Sequence, residues 1–476
     1  MSAGWFLQGS LALICLVLMA SASDSRAAAV PTPAAVPAVV WAHAYATYGE
    51  PRYGRGFTHF NYVNPDAPKG GTVYLRNPDR RTSFDKFNPF TIKGQAPAGV
   101  ILFMFETLCV VGAEEPATIY GLLAEEMLVA PDKSSITFRI HPKARFNNGD
   151  PVTAEDVKYS FDALTSKLAD PIRRTSLAGT QSATVLDERT IRFDLKDRSS
   201  DSIINLGTRL PVFSRKWGSG ADGQPKAFDQ IINEYPVTSG PYTIARTDSG
   251  RRIDFARRAD YWGSDLGATR GFYNFDRVVY RYYQDGAVSM EAFKAGEFDL
   301  LQEYSARRWV HQHTGVKWRD GRIKKQTFAI GFGAGFQAYF MNARRPIFQD
   351  RRVREALVYT YDFEAINVDR QYRRIYSRFS NSEFAATGTP GPGELVLLEP
   401  FRAQSPPEVF GPAWEPPRTD TGPNALRRNL LKARALLEAA GWKVAADGVL
   451  RNARGEAFEF EYLADIGGST KFVASW

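Results

Sequence analysis

Short runs of alternating apolar and polar residues recur along the chain. TVYL at 72–75, after the turn residues PKGG, and ITFRI at 136–140 read as strands. Ile191, Phe193 and Leu195 alternate after an Asp187-Glu188 turn, and Val278, Tyr280 and Tyr282 alternate again. Tyr242–Ile244 and Ile253–Phe255 flank Asp248-Ser249-Gly250, which predicts a hairpin. Helical spacing is interleaved with these strands. Thr153 is placed to cap a helix opening at Ala154, with Asp156 at the third helical position. Val157, Phe161, Leu164 and Leu168 then form one apolar stripe. Residues 286–295 predict a helix with Val288, Ala292 and Phe293 on its apolar side. Asp350 can cap a helix holding Val353, Leu357 and Val358. Leu426, Leu430, Ala433 and Leu437 mark a long helix stopped by Gly441. The Pro- and Gly-rich stretch 386–424 is either a wrapping surface segment or a mobile one. No internal repeat is visible, and the class is mixed α/β.

Length adds that two or three domains are expected, because 476 residues exceed one ordinary core. The chain is 44% hydrophobic and 24% charged, a globular composition. LALICLVLMA at 11–20 is too short for a span, and Ala27-Ala28-Ala29 follows it. This is a cleavable signal peptide pattern over residues 1–29, although the first ten residues carry no Lys or Arg; an uncleaved anchor is the lesser reading. Residues 30–42 contain a Pro/Ala tether. Cleavage leaves one cysteine, Cys109, inside an apolar run, where it reads as a buried core thiol. The net charge of +8 is spread over short clusters such as Arg351-Arg352 and Arg373-Arg374. An exported chain with such clusters is not a nucleic-acid binder, and the charge reads as a solvated surface.

Catalytic motifs are missing. There is no HExxH, GxSxG or GxxxxGK[ST]. Gly331, Gly333 and Gly335 lack the strand–turn–helix setting of a dinucleotide site and read as a flexible turn. His311 and His313 have no nearby Cys to complete a metal site. Glu114-Glu115 and Glu125-Glu126 are adjacent pairs and do not indicate a glycosidase. No cofactor is expected and no enzyme activity is indicated.

Several strings, taken in order, resemble the family 5 extracellular solute-binding proteins of peptide-type ABC importers. They begin with YVNPDAPKGGTVYL at 62–75, FNPF at 87–90, FETL at 105–108 and YGLLAEEM at 120–127. FNNGDPVTAEDVKYSFDAL at 146–164 is the most distinctive. SGPYTI at 239–244, RADYWGSDL at 258–266, RGFYNFDRV at 270–278 and EAFKAGEFD at 291–299 follow. FMNARRPIFQDRRVREAL at 340–357, DFEAIN at 362–367, LLEP at 397–400 and ARALLEAAGW at 433–442 complete the series. The APKGG, NFDRV and RRPIFQD strings look most like the YejA-type subgroup of oligopeptide and microcin binders. The segment 362–380 departs from that pattern by lacking the usual LFYGxY run.

The resemblance implies an α/β, bilobed periplasmic-binding-protein-like fold (class II) with an extra sub-lobe. Residues 43–76 and 197–275 resemble the first lobe, 77–196 the sub-lobe and 276–476 a partial second lobe. Family members continue well beyond the position of Trp476, so the resemblance implies an incomplete second lobe. It also leaves no counterpart here for the aspartate that holds a peptide's amino terminus. The implied role is capture of an oligopeptide or peptide-like ligand in the periplasm, as a monomer, for an inner-membrane ABC permease. A truncated receptor that binds weakly or not at all, a secreted hydrolase of unknown class and an envelope structural protein are the alternatives. Loops facing the hinge are the candidate ligand contacts: Asn88 and Phe90, then Met104, Glu106 and Thr107, then Thr238, Ser239 and Gly240, with Asn342 farther on. Asn88 could instead make an Asx turn before Pro89, and Glu106 could be an exposed helix carboxylate. Phe105 is expected to pack in the core.

Overall fold

The computed structural model describes residues 40–78, 82–219, 223–248, 250–328, 335–382 and 384–463. The signal peptide, most of the tether, Gly331, Gly333 and the end of the EFEYLADIG run lie outside these residues.

Four antiparallel strands form one sheet in the spatial order Ala124–Val129, Ser135–Ile140, Thr190–Leu195, Thr180–Val185. Ile136 sits opposite Phe193, and Phe138 opposite Ile191; all four are fully buried. The helix Ala154–Thr165 packs on this sheet through Val157, Phe161 and Leu164. Its start is fixed by the expected reciprocal cap: Asp156 N donates to Thr153 Oγ1 at 3.3 Å, and Thr153 N donates to Asp156 Oδ2 at 3.1 Å. Leu168 falls past the helix end and is exposed, so the stripe is one residue shorter than the spacing suggests.

A second four-stranded sheet runs Tyr242–Asp248, Arg252–Arg257, Arg277–Arg281, Thr72–Arg76. The first pair is the hairpin expected around Asp248-Ser249-Gly250, and the last pair is parallel. Leu300 bridges to Leu75, and Asp299 N donates to Tyr74 O at 2.8 Å. The boundary expected between 275 and 276 therefore does not coincide with the sheet. Arg277–Arg281 pairs in register with Thr72–Arg76, and main-chain pairing holds it with the first-lobe strands. Ala44–Ala46 likewise pairs with Glu115–Gly121, inside the segment expected as the sub-lobe.

A large apolar core joins these sheets, a minor cluster around Tyr53, Phe60 and Tyr120 stands apart from it, and a separate small core lies farther along the chain. The small core is built where the helices Arg351–Thr360 and Ala425–Ala439 cross, through Val353, Ala356, Leu357, Ala433 and Leu437. Asp350 caps the first of these helices by accepting from Arg352 N, and Gly441 adopts φ +92° just after the second. On the helix Gly286–Ala295 the expected Ala292 is buried and Phe293 half-buried, but Val288 is exposed and Met290 is buried in its stead. The stretch 386–424 carries a helix at Pro392–Leu398 and 3₁₀ turns at Glu399–Gln404 and Pro407–Phe410. Among the described residues no helix is long and apolar enough to cross a membrane.

Candidate functional site

Most of the candidate residues meet at one buried junction between the two large sheets. The short helix Val100–Met104 ends in an extended Phe105, and the chain enters a strand at Glu106–Thr107 that pairs with Pro211–Val212. Across from it, Gly240 N donates to Met104 O at 2.9 Å. A β-carbon on Gly240 would lie 2.4 Å from Met104 O, so only glycine allows this approach. Met104, Glu106, Thr107, Ser239 and Gly240 are thus brought together.

Glu106 is the chemical centre of the junction. Its carboxyl is 4% exposed and accepts from the Tyr261 hydroxyl and from Trp262 Nε1, the latter at 3.0 Å. Burial pushes its pKa up to about 7. The opposing pull comes from Tyr261, Ser239 and Trp262 and from the positive charge of Arg258. Ser239 Oγ lies beside the carboxyl, favouring its charged form, but outside good hydrogen-bond geometry. The alternative that Glu106 sits exposed on a helix is corrected here: it is a buried strand residue whose oxygens accept from two aromatic side chains.

Arg258 closes the junction. Nη1 donates to Gly240 O at 3.2 Å and Nη2 to Phe146 O at 3.2 Å, while Nε donates to Asp260 Oδ1 at 3.1 Å. The FNNGD loop of one sheet is thereby tied to the SGPY turn of the other. Asn147 N donates to Thr238 O at 2.8 Å and adds to the same link. Arg258, Tyr261 and Trp262 were not singled out from sequence; the RADYWG string that contains them was the available signal.

The other candidates are placed differently. Asn88 is fully buried, with Nδ2 donating to Phe228 O at 3.0 Å and Oδ1 accepting from Phe90 N at 3.0 Å. That is the Asx turn named as its alternative, and both ends of the amide are occupied. Phe90 is also fully buried, 4.9 Å from the Phe105 ring and 5.9 Å from that of Phe213. Its side chain is a core element. Thr107 Oγ1 donates to Cys109 O at 2.7 Å, and Thr238 Oγ1 is buried without a partner among the described residues. Asn342 stands apart in the smaller body, exposed, with Oδ1 accepting from Arg344 N at 3.1 Å.

The chemistry available is limited. The Cys109 thiol is buried and its pKa is raised, which makes it unreactive. His311 and His313 point to separate partners: Nε2 of His311 lies 2.8 Å from Asp369 Oδ1, and that of His313 3.3 Å from Glu303 Oε2. Among the described residues no three His, Cys, Asp or Glu side chains converge as a metal set.

Comparison with known sequences decides the family. The profile of the bacterial extracellular solute-binding proteins, family 5 Middle, matches residues 118–471. The chain belongs to this family. This solute-binding protein is 36% identical to the uncharacterized protein YejA of Escherichia coli K12 over 439 residues, covering 92% of this chain and 70% of YejA. It is 34% identical over 444 residues to the probable peptide-binding protein YejA of Agrobacterium fabrum, covering 91% of this chain and 71% of the relative. Among solved structures it resembles the oligopeptide-binding protein AppA of Bacillus subtilis in complex with a nonapeptide. That match has a TM-score of 0.52 at 17% identity and covers 83% of this chain and 68% of AppA. The chain therefore has a bilobed, periplasmic-binding-protein-like α/β fold. The family is one of solute binders and not of catalysts.

Proposed function

We propose that this protein captures oligopeptides or peptide-like compounds in the periplasm and hands them to an inner-membrane ABC permease. The observation that carries the reading is its likeness, over 91% of its length, to a relative named as a probable peptide-binding protein. The AppA likeness supports the fold that such capture uses. Peptide main chain presents a donor and an acceptor at each residue, and expelling water requires that each find a partner. The junction suits this by holding adjacent backbone in fixed positions: with Arg258, Glu106, Tyr261 and Trp262 locked together, the turn at 238–240 and the strand at Glu106–Thr107 have little freedom to drift. Any ligand contact there would be through main chain, because most of the candidate side chains are turned inward.

The test is native mass spectrometry of the exported chain after incubation with a mixed peptide library, with oligosaccharides and metal chelates as competitors. Retention of peptides at one per protein is expected. Retention of saccharide or chelate with no peptide would sink the cargo assignment. Export itself is checked by sequencing the envelope form, which should begin at Val30, following the apolar run and Ala27-Ala28-Ala29. An intact Met1 would remove the periplasmic step.

A further inference from the structure

The smaller body holds a cavity of about 560 Å³, well within the size range of small-molecule sites. Aromatic side chains make up part of its walls. Tyr339, Tyr361 and Tyr462 line it and pack edge to face, with Tyr339 5.8 Å from Tyr361 and 5.7 Å from Tyr462. Phe363 and Trp414 extend the same lining. Two cations line the cavity: Arg373 is exposed, and Arg374 is half-buried against the aromatic rings. The Arg374 guanidinium lies 5.5 Å from the Tyr361 ring centroid and 5.4 Å from that of Phe363. Its Nη1 is buried and has no hydrogen-bond partner among the described residues.

An unmet donor on a partly desolvated guanidinium is costly, and two carboxylates stand close enough to act on it electrostatically. Those carboxylates are engaged elsewhere. Thr419 Oγ1 donates to Asp362 Oδ1 at 2.5 Å and lies 2.9 Å from Glu364 Oε2, which also accepts from Thr419 N at 3.1 Å. They balance part of the charge of Arg374 without filling its fork. Nη1 itself is shut off from solvent, so an acceptor in the cavity would meet Arg374 through its remaining N–H donors. A guanidinium fork matches a carboxylate, and aromatic walls match an apolar or aromatic body.

We infer that this cavity binds a small carboxylate carrying an apolar or aromatic body, with Arg374 holding the carboxylate. A free aromatic or branched-chain acid and the carboxyl end of a peptide ending in such a residue share this chemistry. The cavity shares no lining residue with the buried junction.

Titration calorimetry of the exported chain with N-acetyl-phenylalanine and with its amide tests the inference. The acid should bind, and the amide should bind roughly tenfold to a hundredfold more weakly, as expected for loss of one charge-assisted contact. Arg374→Gln should erase the preference for the acid. Ala338→Trp, at an exposed lining position, should weaken both ligands by filling space while leaving the cation in place. Circular dichroism establishes that each variant is folded. A peptide ending in phenylalanine, with a free or an amidated carboxyl end, separates the two sources: competition by the free form alone assigns a peptide end, and absence of competition assigns a small acid. Equal affinity for acid and amide, no binding of either by the unmodified chain, or an acid preference that survives in the folded Arg374→Gln variant would overturn the assignment.

Discussion

Replacing Glu106 by glutamine should change how stability depends on pH. The buried carboxyl has an ordinary value of 4.5 and a value near 7 in the folded protein. The native state therefore binds this proton more tightly than the unfolded chain does. The stability tied to it is fully present below pH 4.5, falls as pH rises through the folded value, and is lost above about pH 7. At 1.36 kcal/mol for each tenfold change in proton affinity, the swing is about 3 kcal/mol. Glutamine fits the site without titrating. Its oxygen can accept from Trp262 Nε1, and its amide can donate to the Tyr261 oxygen once that hydroxyl rotates. Urea unfolding, followed by tryptophan fluorescence for both proteins between pH 4.5 and 8, gives the difference directly. The variant should gain about 3 kcal/mol on the parent across that interval. His141, whose ring lies 5.4 Å from that of Trp262, has its pKa lowered by burial, but both proteins carry it and its contribution cancels. A difference that stays flat from pH 4.5 to 8, or one in which the parent gains as pH rises, would refute the reasoning.

Other outcomes follow from local geometry. Thr153→Ala should cost about 1 kcal/mol in urea unfolding by removing one half of the reciprocal cap on Ala154–Thr165, and an unchanged midpoint would contradict the cap. Gly240→Ala should cost at least about 2 kcal/mol, because the new β-carbon would meet main-chain oxygen rather than a movable side chain; wild-type stability would mean that the approach to Met104 is looser than described. Purified protein incubated with mixed peptides should leave them uncut by mass spectrometry, and turnover that persists through purification would overturn the reading of a binder without catalysis.

Local signals in the sequence translated well into structure where the chain satisfies its own requirements within a few residues. The Thr153 cap, the turn at 248–250, the Asp350 cap and the stop at Gly441 are all of this kind. Cys109 and Phe105 lie buried, as their apolar surroundings suggested. Readings failed where a distant partner decides the matter. Val288 has an apolar side chain, but the neighbours packed against its helix bury Met290 in its place, beside the expected Ala292. Glu106 looks like a surface carboxylate until Tyr261 and Trp262, some 155 positions away, are placed against it. No periodicity within FETL reports a partner at that separation. The parallel pairing of Arg277–Arg281 with Thr72–Arg76 was not legible either, because it joins segments about 200 residues apart and leaves no local mark.

The same long-range character explains why polar groups occupy the junction at all. Replacing a buried ionisable cluster with apolar residues is often neutral or stabilising, so Glu106 and Arg258 are not needed for stability alone. Apolar side chains would tolerate sliding of one sheet against the other, because dispersion contacts have little directionality. Directed hydrogen bonds do not. Arg258 reaches carbonyls of Gly240 and Phe146 at 3.2 Å each, and a shift of about an ångström in either would carry a bond past useful length. The missing β-carbon at Gly240 permits the close approach, and the guanidinium fork then fixes its register. On the role proposed above, a binder that recognises main chain needs its own main chain held in place before the ligand arrives, since ordering it on binding would subtract from affinity. The cost of burying one carboxyl near its neutral point is thus tied to a backbone that is already in position.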